Sequence, residues 1–299
     1  MSAATRRLRA LHASCCGGLP TVPSHSAALK EGLKVYISVD IEGIAGSAHW
    51  HEASSAAAGH SDYQQFRERM TEEAVAAAEG ALAAGATEIW MKDAHGSGRN
   101  ILQERLPKEV TLIRGWSGHP YAMVQEIDSS FDAVAMVGYH GAASDPQNPL
   151  SHTYSGRWNL AMLNDSLCPE YWVYAHCCAL EGVPVVYISG DAGICEFAKA
   201  KNPAIGTNVT NVGHGASVIA VSPTLARQRI RRGMQVALEG DLSTHVLPAA
   251  EHYTLKLRFL EHEDAFKCQF YPKARLEGSQ TVVVESNDFV DIATTFQFF

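Results

Sequence analysis

Lys34-Val-Tyr-Ile-Ser-Val-Asp-Ile-Glu-Gly43 is the stretch on which the reading of this chain turns. Lys34 to Val39 is short, apolar and rich in β-branched and aromatic residues, the pattern of a buried strand. It runs into Asp40, Glu42 and Gly43 rather than into an ordinary turn. The same unit recurs downstream. Thr87 to Lys92 reads as a strand ending in Asp93-Ala-His95, and Asp132 to Gly138 as one ending in Tyr139-His140.

Between these strands the period changes. Tyr63, Phe66, Met70, Ala74 and Ala77 recur every three or four residues, which predicts a helix over Asp62 to Ala84, ended by Gly85. A short helix over Asn100 to Leu106 leads to a strand at Val110 to Ile113. Glu170 to Leu180 reads as a helix and Pro184 to Ser189 as a strand, followed by Gly190-Asp191. Ser222-Pro223 supplies an N-cap and a first-turn proline for a helix running to about Glu239. Strands alternating with helices predict a three-layer α/β/α architecture on a largely parallel sheet. After Pro248 the pattern becomes strands at Tyr253 to Leu260 and Gln280 to Glu285, with a terminal helix near Phe289. The expected division is therefore a metal-binding catalytic α/β domain over residues 33–212 and a smaller C-terminal α+β region over 213–299.

Residues 1–32 differ from the rest. Met1 to Lys30 contains no Asp or Glu but has Arg6, Arg7, Arg9 and Lys30 among many Ser and Ala. That composition reads as a disordered leader or an organelle transit peptide, and it lacks the apolar core of a secretory signal. Across all 299 residues the net charge is −8, which argues against a phosphate-tracking nucleic-acid surface. The one dense basic run, Arg227 to Arg232, reads as a solvated helix face. No apolar run approaches the ~20 residues that cross a bilayer, so a soluble protein without a membrane partner is expected. The seven cysteines, Cys15, Cys16, Cys168, Cys177, Cys178, Cys195 and Cys268, include two adjacent pairs and no C-x-x-C. A disulfide framework and a thiolate zinc site both fit poorly, and a reducing, intracellular setting, cytoplasmic or organellar, fits well.

In open α/β sheets ligands bind at the carboxyl ends of the strands. Asp40 and Glu42 end one strand, and His95 and His140 follow two others. On extended chain, residues two apart point to the same side, so Asp40 and Glu42 are expected to converge. Carboxylates with imidazoles suit zinc or a similar divalent ion. Alone, each residue reads more readily as a cap, ion-pair or loop residue; their coincidence at three strand ends reverses that reading and argues for a site. His49 and His51, in the Gly- and Ala-rich loop after the first strand, are weaker ligand candidates. Asp191 could be a ligand or a loop cap. His152 lies twelve residues beyond His140, close enough to reach the same crevice, and suits a catalytic group. Motifs of serine hydrolases, P-loops, thermolysin-like zinc proteases and dinucleotide-binding folds are absent.

Taken in order, Ser38-Val-Asp-Ile-Glu-Gly43, Met70-Thr-Glu-Glu73, Asp93-Ala-His95, Gly138-Tyr-His140, Ser151-His152 and Asn164-Asp165 with Glu170 resemble the D-aminopeptidase family, the M55 metallopeptidases. The motifs cover Lys34 to Gly190 and thin toward the C-terminus. The resemblance implies two zinc ions per subunit held by Asp40, Glu42, His95, His140 and Glu170, with Asp40 bridging. Glu170 rests on the resemblance; by itself it is only a helix-start acid. The resemblance implies His152 as the catalytic histidine, described in the family as a nucleophile, although an acid–base role is equally compatible with its chemistry. It also implies release of N-terminal D-residues from short peptides and assembly into a ring-like homo-oligomer. Two alternatives are a metal-dependent amidase acting on a non-peptide amide and a non-catalytic oligomeric binding protein of the same fold.

Overall fold

The computed structural model describes residues 32–54 and 62–299. β1 (Leu33–Val39) alternates as a strand must: Val35, Ile37 and Val39 enter one hydrophobic core and Tyr36 enters the other. Because both of its faces are covered, the run is apolar throughout instead of alternating with polar residues. α1 (Trp50–Ala53), α2 (Asp62–Ala83), β2 (Ala86–Asp93), β3 (Val110–Ile113) and β4 (Ala133–Tyr139) follow. β5 (Trp158–Leu163) and β6 (Ser166–Leu167) form a hairpin ahead of α3 (Glu170–Leu180), β7 (Val185–Asp191) and α4 (Ala192–Lys201). Next come β8 (Gly206–His214), β9 (Ser217–Ala220) and α5 (Pro223–Glu239). β10 (Tyr253–Phe259), α6 (His262–Cys268), β11 (Ala274–Glu277), β12 (Thr281–Ser286) and α7 (Phe289–Phe298) complete the chain.

Among the described residues, one sheet has the strand order β3-β2-β1-β4-β7-β8-β9. Its pairs are parallel except β8 with β9. The chain builds outward from β1 to β2 and β3 on one side, then returns to place β4 on the other. The direction of winding therefore reverses between β1 and β4, where an open α/β sheet leaves a crevice at its strand ends. α2 and α5 share the core of Val35, Ile37 and Val39, while α3 and α4 pack on the opposite face. This is the expected three-layer arrangement.

α2 and α5 cross closely at Gly80, where a Cβ would lie 2.4 Å from the Arg231 carbonyl oxygen. Arg227 and Arg231, part of the basic run, pair with Glu72 and Glu79 of α2 across this crossing. Ser222 caps α5 by accepting from the Leu225 amide at 3.3 Å, and Gly85 takes φ +92° just beyond α2.

Three features depart from the sequence reading. The helix expected over Asn100 to Leu106 is a single 3₁₀ turn at Gln103–Arg105. The Asp93 carboxylate takes the amides of Asn100 and Ile101 at 2.5 and 2.7 Å, which diverts the segment from helical pairing. The second sheet, β11-β12-β10-β5-β6, is antiparallel and borrows β5 and β6 from the middle of the chain. Asn164 and Asp165, at φ +48° and +60°, make the tight hairpin turn between them. The boundary drawn after residue 212 falls inside β8, and Gly32–Phe299 clusters as one compact unit. Most of the leader, residues 1–31, lies outside the described residues. The five described cysteines are free, four of them buried, and among the described residues no helix is long and apolar enough to cross a membrane.

Candidate metal centre and active-site cleft

Asp40, Glu42, His95, His140, His152 and Glu170 come together at the carboxyl ends of β1, β2 and β4, beside the N-terminus of α3. Asp40 follows β1 directly, its amide donating to Val137 of β4 at 2.8 Å. Glu42 converges on it by another route than the one expected. Residues 41–43 turn sharply instead of staying extended, and the Gly43 amide donates to the Gly138 carbonyl at 2.8 Å. Gly138 itself, at φ +73°, would bring a Cβ within 2.3 Å of the Asp40 carbonyl oxygen, so any side chain there would push the two strand ends apart.

The three imidazoles share one construction. His95 Nε2 lies 2.7 Å from the Ala53 carbonyl, His140 Nδ1 lies 2.9 Å from that of Gly141, and His152 Nδ1 lies 2.9 Å from that of Leu150. A carbonyl only accepts, so each of these nitrogens carries the proton and the opposite nitrogen turns its lone pair inward. There it meets carboxylate oxygens. His95 Nδ1 is 3.3 Å from Asp40 Oδ1 and 3.0 Å from Glu42 Oε2. His140 Nε2 is 3.5 Å from both Asp40 Oδ2 and Glu170 Oε2, and His152 Nε2 is 3.6 Å from Glu170 Oε1. Asp40 thus stands between two groups of donors, one carboxylate oxygen turned to each.

Acceptors facing acceptors in a buried site require positive charge between them. Glu42 Oε2 and His140 Nε2 are buried with no hydrogen-bond partner. Asp40 with Glu42 and His140, and His140 with His152 and Glu170, each bring their donor atoms within 4.8 Å of one another. Hard oxygens mixed with imidazole nitrogens, each imidazole oriented by a carbonyl behind it, fit zinc. Without a cation, protons answer the same demand. Burial opposes charging His95 and His140, yet the carboxylates of Glu42 and Asp40 around the first and Glu170 and Asp40 around the second hold both well above the usual imidazole range. Burial and the neighbouring Glu42 push the Asp40 carboxyl up, while the imidazoles hold Glu42 and Glu170 down against their own burial.

His152 differs from its neighbours. Its ring stacks on His140 with centroids 4.3 Å apart, its side chain is 17% exposed, and it lines a cleft of about 430 Å³, whereas His140 lies beneath. Burial and the adjacent His140 hold it below the ordinary imidazole range, so it is neutral and able to accept a proton at neutral pH. Trp50 packs against it in a T-shaped contact, ring centroids 5.3 Å apart.

The weaker candidates resolve as supports. His49 caps α1, accepting from the His51 amide. Asp191 caps α4 through Ile194, and it also accepts from the Gly141 amide and the Asn148 side chain, all at 2.8 Å. Several residues holding the floor carried no sequence signal. Asn148 also donates to the Glu42 carbonyl at 3.1 Å, Asn211 donates to Ile44 at 2.7 Å and accepts from Gly46, and Thr210 donates to Gly43. Glu73 of α2, quoted above only as part of a motif, accepts from the Ala45 amide at 2.9 Å.

Burial pushes the Glu73 carboxyl from 4.5 up to about 7, and its second oxygen has no partner. A raised carboxyl favours the folded state only while protonated, so its benefit is whole below pH 4.5 and is lost as pH rises toward 7. That rise is worth about 3 kcal/mol. Glu73→Gln should therefore gain up to about 3 kcal/mol over the parent at pH 8 and close to nothing at pH 4.5. Urea midpoints at the two pH values check this; an equal gain at both would mean that Glu73 does not titrate in the interval.

A family model described as D-aminopeptidase, Peptidase_M55, matches residues 33–298. A D-aminopeptidase of Bacillus subtilis (strain 168) is 27% identical over 261 residues, covering 87% of this chain and 93% of that one. The solved structure of a Zn-dependent D-aminopeptidase from Bacillus subtilis, DppA, described as a self-compartmentalizing protease, superposes with a TM-score of 0.82 at 26% identity, covering 88% of this chain and 95% of the other. On a match that spans almost the whole described chain, this protein belongs to the M55 peptidase family of D-aminopeptidases.

Proposed function

We propose that this chain is a zinc-dependent aminopeptidase that releases N-terminal D-amino acids from short peptides or aminoacyl amides. Asp40, Glu42, His95, His140 and Glu170 are the residues that would hold two zinc ions per subunit, Asp40 having one carboxylate oxygen toward His95 and the other toward His140. The reading is carried by one observation: three imidazoles fixed by backbone carbonyls aim their lone pairs at three buried carboxylates. When bound, divalent cations supply Lewis acidity to a carbonyl and make water more acidic.

The protein side of the reaction falls to His152. It is the imidazole open to the cleft, neutral at neutral pH, and tied at Nδ1 so that Nε2 points to the reacting centre. Nε2 takes a proton from the attacking water and returns it to the departing amine. Glu42 provides negative charge for the free ammonium of the substrate, which restricts cleavage to the first residue. The Bacillus relative's self-compartmentalizing assembly supports a homo-oligomer, ring-like, for this chain as well. Free, buried cysteines support placement inside the cell, cytoplasmic or organellar.

The test is a panel of D- and L-aminoacyl amides and dipeptides assayed with zinc and with a chelator. Turnover of D-aminoacyl compounds that disappears with chelator and returns with zinc is expected. If none of them shows chelator-sensitive turnover, the reading fails; turnover confined to non-peptide amides would instead identify an amidase of the same architecture.

A further inference from the structure

Trp116 does not belong to the metal-ligand cluster, yet it lines the same cleft and is 40% exposed. Leaving an indole in water is costly, since a large aromatic surface is normally buried or saved for a ligand. This one is also held unusually well. Its Nε1–H donates to the Gly96 carbonyl at 2.7 Å, beside His95. The loop carrying it is pinned by Gly115 N to Gly98 O at 2.8 Å and by Ser117 N to Gln125 Oε1 at 3.1 Å. Lys92, the last residue of β2 before Asp93, is fully buried beneath it. The Lys92 ammonium sits 3.9 Å from the indole centroid and donates to the Gly115 carbonyl at 2.5 Å.

A buried lysine that makes no ion pair among the described residues, and feels only the charge of the adjoining Asp93, is expensive. Here its contacts are the indole face and the backbone of the Trp116 loop, so what the burial achieves is a fixed ring. Ala122 and Met123 add apolar lining to the same cleft, and Gly96 and Gly118 line it without side chains. Among the described residues, neither Lys nor Arg lines the cleft. Next to the His95–Glu42 end, where the reading above places the substrate's free amine, the held indole thus offers a pre-organised apolar face, with His119 as a polar neighbour in the lining.

We propose that Trp116 is a specificity-determining residue that receives a bulky apolar side chain on the N-terminal residue of the substrate, and that Lys92 is the positioning residue that holds the indole for it. The preferred substrates are then D-residues with aromatic or branched aliphatic side chains rather than glycine or D-alanine. The inference rests on the aminopeptidase reading for its substrate class.

The experiment compares kcat/KM for D-phenylalaninamide and D-alaninamide in the zinc-loaded full chain, with Trp116→Ala, Trp116→Phe and Lys92→Met. The ratio favours phenylalanine in the parent. It falls by about tenfold to a hundredfold in Trp116→Ala, the scale on which apolar pockets discriminate, and recovers most of its value in Trp116→Phe, which keeps a ring. In Lys92→Met the ratio falls too, mostly through KM. A merely structural role would lower both substrates together and leave the ratio unmoved, and that result overturns the proposal. Calorimetric binding of D-phenylalaninamide against glycinamide gives a readout that needs no turnover. An inactive parent that still binds the aromatic amide more tightly, and loses the preference in Trp116→Ala, would sink the hydrolase while upholding the pocket.

Discussion

On the proposed two-zinc reading, Asp40→Asn should empty both metal positions at once and lower turnover of a D-aminoacyl amide by at least about a thousandfold, the order expected when several kcal/mol of Lewis-acid stabilisation is lost. The expectation follows from the position of this carboxylate, with one oxygen toward His95 and the other toward His140. Asparagine keeps the shape and can still accept from the Ile41 amide, as Asp40 does at 2.8 Å, so the turn should persist. The change removes the charge without leaving a cavity. Elemental analysis of the purified variant gives the metal content directly. Thermal unfolding gives a second measure, because a ligand bound only to the folded state stabilises it by about 2.7 kcal/mol at a hundredfold excess over Kd. The parent should melt higher with zinc than with chelator, and Asp40→Asn should melt the same in both. A variant that retained its full metal complement would remove Asp40 from the centre.

His152→Ala should lower kcat by about 10² to 10⁴, the usual contribution of a positioned acid–base group, while the metal content stays at the parental level. The distinction matters because His152 Nε2 stands 3.6 Å from Glu170 Oε1, and His152 shares a possible donor cluster with His140 and Glu170. Geometry alone would allow it to be a ligand. Its exposure to the cleft and its contact with Trp50 favour a group that meets substrate. If zinc is lost together with activity, His152 is a ligand and the proton transfers need another residue. If zinc is retained and activity is unaffected, the acid–base assignment is wrong.

Much of this architecture was legible along the chain because it is written in local patterns. The strand of Lys34 to Val39, the helices of Asp62 to Ala84 and Glu170 to Leu180, and the Ser222-Pro223 start all lie within a residue or two of their predicted bounds. Polar tips on apolar strands likewise pointed to Asp40, Glu42, His95 and His140, since a parallel sheet must expose its strand ends on one side. The hairpin of β5 and β6 was missed. Its strands are short and half-buried, and their partner β10 lies about ninety residues later, so no local period records the pairing.

What the linear order of residues determined by itself is the inventory: which strands are buried on both faces, and which carboxylates and imidazoles they carry to their ends. What only the tertiary structure decided is orientation. The turn of residues 41–43 brought Glu42 to His95, backbone carbonyls from Ala53, Gly141 and Leu150 chose the inward-facing nitrogen of each histidine, and buried Lys92 came to lie against the indole of Trp116. These are directional contacts between segments remote in sequence. Hydrophobic periodicity is insensitive to them, because burial depends on area whereas a hydrogen bond depends on angle and distance.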